Sequence, residues 1–139
     1  MTPLVVDASV AIKWFLREDL SLAARKLAKS GQEFIAPDFI FAEAGNVITK
    51  HWRNKLLSDA KARIAIRLAY NMIVTTYPSR ELLVLAAQIA RGCSRSLYDS
   101  LYVALAVTQE TYCVTADKRL VNSLSNTPYA SFVQYLGDI

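Results

Sequence analysis

Glycine and histidine are scarce in this chain, and each scarcity closes a route. The four glycines, Gly31, Gly45, Gly92 and Gly137, are too scattered to build a G-x-G-x-x-G turn or a Walker A loop. His51 is the only histidine. A zinc site of histidine and cysteine ligands therefore has too few donors, a Ser-His-Asp triad would rest on this one side chain, and an acid–base mechanism needing two histidines is impossible. Cys93 and Cys113 are isolated, without motif spacing, and are read as reduced core residues rather than a disulfide. The longest apolar run, 101–107, falls far short of the ~20 residues of a membrane-spanning helix. The N-terminal M-T-P-L-V-V-D has no basic lead-in, and Asp7 cuts its apolar stretch short. No signal peptide is read, and a cytoplasmic protein without membrane attachment is expected.

What is present is hydrophobic and basic. Apolar residues make up 53% of the chain, more than a solitary soluble domain of 139 residues requires, which hints at a partner surface. The length suits one domain, 1–139. Net charge is +4, from 16 basic and 12 acidic residues. Four acids, Asp7, Glu43, Asp99 and Asp117, sit beside apolar segments; setting them aside leaves 16 basic residues against eight acidic ones. A surface with that balance favours polyanions. The excess is partly local, since Lys50, Arg53, Lys55, Lys61, Arg63 and Arg67 surround only Asp59, although a solvated helix face explains such a cluster equally well.

Short β-rich runs alternate with helical patterns and no linker or repeat intervenes. Strands are expected over 4–6, 34–36, 73–76, 112–115 and 132–135. Helices are expected over 9–16, 21–30 (stopped by Gly31), 38–51, 58–71, 79–91, 96–108 and 118–125. Strands separated by helices of this length imply an α/β fold, a parallel sheet with helices on both faces. Ligands of such folds gather outside the carboxyl ends of the strands. Asp7 follows L-V-V directly and Asp117 follows C-V-T-A, so both fall on that rim.

Each acid admits a structural reading. Asp7 in V-V-D-A-S and Asp117 in T-A-D-K-R can cap the helices they precede. Glu43, with Phe39, Asn46 and Val47 at helical spacing, can be half exposed or paired with Lys50. Asp99 is harder to dismiss, because S-L-Y-D-S-L-Y-V-A-L-A-V sets an acid against a helix apolar on all sides. An ion pair with Arg95 or Lys118 is its structural alternative. One cause accounts for all four: a divalent cation. Clustered carboxylates repel unless a cation compensates, and hard oxygen donors suit Mg²⁺ or Mn²⁺. A carboxylate-held metal in a basic surround can activate water and stabilise a scissile phosphate, which points to phosphodiester hydrolysis. Ser9 and Thr115, two residues from Asp7 and Asp117, are accessory candidates, with ordinary helix-start and strand-end hydroxyls as the alternative.

The pieces V-V-D-A-S-V-A-I-K-W-F, F-A-E-A-G-N-V-I, S-L-Y-D-S-L-Y-V-A-L-A and V-T-A-D-K-R-L, in this order over residues 4–120, resemble the PIN-domain ribonucleases, and among them the VapC-like toxins of VapBC toxin–antitoxin pairs. The resemblance implies a three-layer α/β/α sandwich with a central parallel sheet in order 3-2-1-4-5. It implies RNA cleavage with one or two Mg²⁺ or Mn²⁺ ions, an acidic site of Asp7, Glu43, Asp99 and Asp117, and Ser9, Thr115 and Asn46 as accessory groups. Some relatives carry a further acid just after the last one, where this chain has Lys118 and Arg119. A homodimer, an RNA substrate and a small antitoxin that covers an apolar groove and blocks the acidic pocket are the implied partners.

Two rivals stand beside this reading. A phosphatase of the haloacid-dehalogenase kind wants D-x-D after the first strand, and Ser9 occupies the third position. A degenerate PIN domain acting as an RNA-binding or assembly module keeps the fold without the chemistry. Among other side chains, Trp14 reads as core or interface, Lys13 as a solvated lysine and His51 as an exposed group without a catalytic role. Tyr98 and Tyr102 read as core residues at i, i+4 spacing, and Arg91 and Arg95 as candidates for lining an RNA groove.

Overall fold

The computed structural model describes residues 2–139. Five strands form one parallel sheet: β1 (Leu4–Val6), β2 (Phe34–Pro37), β3 (Thr75–Tyr77), β4 (Cys113–Thr115) and β5 (Val133–Tyr135), in the order β3-β2-β1-β4-β5. Seven helices flank it: α1 (Ala8–Phe15), α2 (Ser21–Ala28), α3 (Ile40–Arg53), α4 (Asp59–Tyr70), α5 (Ser79–Cys93), α6 (Leu97–Thr108) and α7 (Lys118–Leu124). Two 3-10 turns, Ala130–Phe132 and Leu136–Asp138, bracket β5. This is the expected α/β/α sandwich with the expected strand order.

The strands are short because they need only cross the core. β1, β2 and β4 are buried throughout, as apolar runs in a parallel sheet covered on both faces must be. The edge strand β3 reads T-T-Y and is largely exposed. It begins two residues later than expected. Ile73 lies 93% exposed outside the strand, and pairing with Ile35, Ala36 and Pro37 of β2 sets the start at Thr75.

Helix α6 is the buried pillar. Residues from Ser100 to Ala106 are all within 5% exposure. The helix packs on α5 and on strands β1, β2 and β4. A separate small core of Ile12, Leu16, Ile48, Ala65 and Ala69 ties α1 to the α3–α4 pair. Cys93 and Cys113 are free and buried, as expected. Trp14 is core as well: its ring packs on Phe34 at 5.2 Å and its Nε1 donates to the carbonyl of Ala24.

Two expectations fail here. Lys13 is 8% exposed, not solvated, because its ammonium turns back to Glu18 at 2.9 Å while its stem lies in the core. Tyr98 is 61% exposed, not core; it shares the face of Tyr102 and touches Phe39, but it sits in the first turn of α6, at the end of the helix where the packing gives out. Among the described residues no helix is long and apolar enough to cross a membrane.

Candidate active site

The strand order places a topological switch point between β1 and β4, where the chain turns toward one sheet edge after β1 and toward the other after β4. Open parallel sheets form their ligand crevice at such a point. Asp7 follows β1 directly and Asp117 follows β4 by two residues, so the two acids flank that crevice. A cavity of about 190 Å³ opens there, and Asp7, Ser9, Glu43, Asp99 and Asp117 line it, with Ile12, Val47 and Tyr102 as its apolar wall.

Every one of the four acids stands at a helix N-terminus. Asp7 caps α1, its Oδ1 accepting the Val10 N–H at 3.3 Å, and Asp117 caps α7, its Oδ1 accepting the Arg119 N–H at 2.9 Å. Glu43 and Asp99 lie in the first turns of α3 and α6. Asp99 was expected against the apolar body of its helix; instead it is three residues past the Ser96 N-cap, whose hydroxyl accepts the Asp99 N–H at 3.0 Å. The capping and site readings of Asp7 and Asp117 therefore do not exclude each other, because each carboxylate caps its helix and lines the pit at once. Four helix dipoles turn their positive ends toward the pit and favour negative charge in it.

The carboxylates are held from behind. Ser9 Oγ donates to Asp7 Oδ1 and accepts the Ala116 N–H at 2.9 Å, which sews the β1–α1 corner to the β4–α7 corner. Thr115, fully buried, accepts the Asp117 N–H on its hydroxyl at 3.1 Å. Ser9 thus lines the pit while Thr115 stands behind it. Asn46 is exposed on α3 and does not reach the cavity, whose wall at that level is Val47. Glu43 is not paired with Lys50; its Oε1 accepts the Tyr102 hydroxyl at 2.6 Å.

Two acids respond to crowding through their protonation. Burial raises the Asp7 carboxyl from 3.8 to about 6, and the charge of Glu43 adds to the rise. Hydrogen bonds from Ser9, Thr115 and Val10 oppose it. Burial likewise raises Glu43, opposed by the Tyr102 hydroxyl and reinforced by Asp99. Burial and the charge of Glu43 also hold the Tyr102 phenol protonated, so it remains a donor.

The other two acids meet a guanidinium. Arg95 Nη2 lies 2.7 Å from Asp99 Oδ2 and 3.3 Å from Asp117 Oδ2. This ion pair was the structural alternative for Asp99. Arg95 therefore pairs with two of the acids that line the pit without lining it itself, while Arg91 is exposed on α5. Asp7 Oδ2, Glu43 Oε2 and Asp99 Oδ1 take part in none of the contacts described. In this arrangement no group of three or more His, Cys, Asp or Glu side chains among the described residues is gathered closely enough to hold a metal ion. The donor set still fits one: four carboxylates at a crevice mouth, without a nitrogen or sulfur ligand, are chemistry for Mg²⁺ or Mn²⁺.

Sequence reasoning missed the part played by Tyr102; it read Arg95 both as a groove residue and as an ion-pair partner of Asp99, and the ion pair is what forms. Arg95 had a signal in its spacing, four residues before Asp99, whereas nothing local pointed from Tyr102 to Glu43, 59 residues away.

The model of the PIN-domain family matches residues 4–123. The chain belongs to the PIN-domain family. This PIN domain is 29% identical to Ribonuclease VapC3 of Pyrobaculum aerophilum over 119 residues, 84% of this chain and 91% of that protein. Its fold is similar to the crystal structure of PAE2754 from Pyrobaculum aerophilum, with a TM-score of 0.68 and 23% identity over 99% of this chain and 85% of that one. A second neighbour, VapC20 of Mycobacterium tuberculosis, is described as a sarcin–ricin loop cleaving toxin. It superposes with a TM-score of 0.64 at 15% identity, over 86% of this PIN domain and 94% of that chain.

Proposed function

We propose that this PIN domain is a Mg²⁺- or Mn²⁺-dependent endoribonuclease and the toxin of a toxin–antitoxin pair. The observation that carries the reading is the convergence of Asp7, Glu43, Asp99 and Asp117, far apart in sequence, around one cavity at the switch point of the sheet. Likeness to Ribonuclease VapC3 supports the choice of RNA and of the toxin role.

Asp7, Glu43, Asp99 and Asp117 are the residues that would hold one or two divalent ions. Bound there, the metal would supply Lewis acidity to a phosphodiester and acidify a water for attack, leaving a 5′-phosphate and a 3′-hydroxyl. The chain's own part is preorganisation. Tyr102 fixes one oxygen of Glu43 so that the other points free of it. Ser9 fixes the Asp7 carboxylate through Oδ1 and holds the two strand ends in register. The four helix N-termini lower the cost of gathering negative charge before the metal arrives. Beyond the pit, none of Lys50, Arg53, Lys55, Lys61, Arg63 and Arg67 is engaged in an ion pair among the described residues, so these cations are available to an RNA backbone.

Partner surfaces are consistent with this reading. Phe41 and Tyr70 are exposed along an apolar groove of about 420 Å³ between α3 and α4, which Gly45, Ile66 and Ala69 complete. A larger cleft of about 630 Å³, with Phe15, Leu56, Leu57 and Ile64 beside Arg17 and Lys61, lies beyond the far ends of α1 and α3. Two such surfaces suit a second copy of the chain and a small antitoxin.

The test is cleavage of single-stranded RNA by purified protein with Mn²⁺, with ends mapped by sequencing. Wild type cuts and Asp99→Asn does not; equal cleavage by both removes the assignment. Induced expression arrests growth and a co-expressed cognate antitoxin restores it. Absence of arrest removes the toxin role and leaves the nuclease standing.

A further inference from the structure

One cation already stands among the carboxylates, and it belongs to the chain. Ser94, in the left-handed region at φ 54°, ends α5, and Ser96 caps α6, so Arg95 is fixed at the tight corner between two closely packed helices. From there its guanidinium meets Asp99 and Asp117 at the edge of the crevice, with only 20% of the side chain exposed. Its Nε is the one buried side-chain polar atom among the described residues that lacks a hydrogen-bond partner. Buried guanidinium nitrogens ordinarily find acceptors. An arginine that leaves Nε orphaned in order to place one terminal nitrogen between two carboxylates is held there by charge, not by complementary packing.

We propose that Arg95 is a resident counter-ion that competes with the divalent cation for Asp99 and Asp117 and so sets the metal concentration at which the pit assembles. This inference rests on the metal reading of the four acids. Without metal, the Asp99–Asp117 pair is neutralised by Arg95, and the four acids remain too dispersed to form a ligand cluster. In this scheme the guanidinium gives up both Oδ2 atoms when the metal binds. Apparent affinity is then the intrinsic affinity reduced by the fraction of molecules in which Arg95 has withdrawn. Arg95 is a positioning residue in this scheme.

The experiment compares Mn²⁺ affinity, by titration calorimetry, of wild type, Arg95→Met and Arg119→Met. Arg119 is the control for charge alone: its Nε lies 3.6 Å from Asp117 Oδ1, but its side chain is 86% exposed and outside the crevice. Arg95→Met binds Mn²⁺ about tenfold more tightly than wild type, while Arg119→Met shifts affinity by about twofold or less. Equal effects from both variants, or weaker binding by Arg95→Met, overturn the proposal. A second measurement uses wild-type protein and is indifferent to how the variants fold. The Arg95 Nε–Hε resonance, assigned by through-bond correlation to the Arg95 side-chain carbons, moves and loses protection from solvent exchange as diamagnetic Mg²⁺ is added. A resonance unchanged at Mg²⁺ saturation, with binding shown by thermal shift, overturns the competition while leaving the metal site intact. Failure of wild type and Arg95→Met alike to bind either metal overturns the metal reading and this inference with it.

Discussion

Replacing Asp7 with asparagine, in protein stripped of divalent metal, is expected to stabilise the fold at neutral pH. The folded-state carboxyl titrates near 6 and the ordinary one near 3.8. Between these values the folded protein keeps a proton that the unfolded chain releases. The stability this contributes is complete below about pH 4 and is lost as pH rises through about 6. Two pKa steps at roughly 1.4 kcal/mol each give a penalty approaching 3 kcal/mol for the ionised form. For a chain of 139 residues, with an unfolding entropy of roughly 0.3 kcal/mol/K, that is about 10 °C in Tm. Asparagine retains an oxygen for the Ser9 hydroxyl and the Val10 N–H, so the cap survives and only the charge goes. The assay is thermal and urea unfolding in EDTA from about pH 5 to pH 8. Wild-type Tm should fall across that range. Asp7→Asn should fall less steeply, since Glu43 is raised in the same direction, and should be the more stable protein at pH 8. Mn²⁺ should reverse the order, raising wild type by RT ln(1 + [L]/Kd) and leaving the variant near its metal-free value. A variant less stable than wild type at pH 8 in EDTA would refute the claim that Asp7 is ionised there at a cost.

Other expectations are as direct. Tyr102→Phe deletes the hydroxyl that donates to Glu43, and urea denaturation should show a loss of about 1–2 kcal/mol at neutral pH. Ser9→Ala leaves the Ala116 N–H and the Asp7 carboxylate each short of a partner; a comparable loss is expected, with a further rise of the Asp7 carboxyl visible by carboxyl-carbon NMR titration. Burial, Asp7 and Asp99 all push the Cys113 thiol up. With both cysteines buried, a disulfide reagent at neutral pH should leave native protein unlabelled and modify two thiols after denaturation.

Much of the fold was legible because its elements are locally consistent. The L-V-V, F-I-A and C-V-T runs are apolar on both faces, which a covered parallel sheet demands, and Ser58, Ser96, Asp7 and Asp117 announce helix starts in the sequence itself. What escaped was set by tertiary neighbours. Ile73 and Val74 look more like strand than Thr75 and Thr76, yet register against β2 decides. Lys13 looks solvent-bound until a partner beyond the end of its own helix, Glu18, pulls it under. The four acids could be picked out by type and place, and so could Ser9, Thr115 and Arg95 beside them, but not Tyr102. That Tyr102 serves Glu43, 59 residues earlier in the chain, depends on how α6 packs beside α3, which no local pattern encodes.

Because Asp7 and Asp117 each begin a helix, the proposed chemistry and the architecture share atoms at these two positions. A lineage that abandoned catalysis would still be under pressure to keep an oxygen-bearing side chain at both, so the acids would outlast the activity they once served. Alanine there would confound a lost reaction with a frayed helix, whereas asparagine isolates the reaction. Glu43 and Asp99 cap no helix, yet each answers a buried partner, the Tyr102 hydroxyl and the Arg95 guanidinium, so a silenced descendant would lose packing with either.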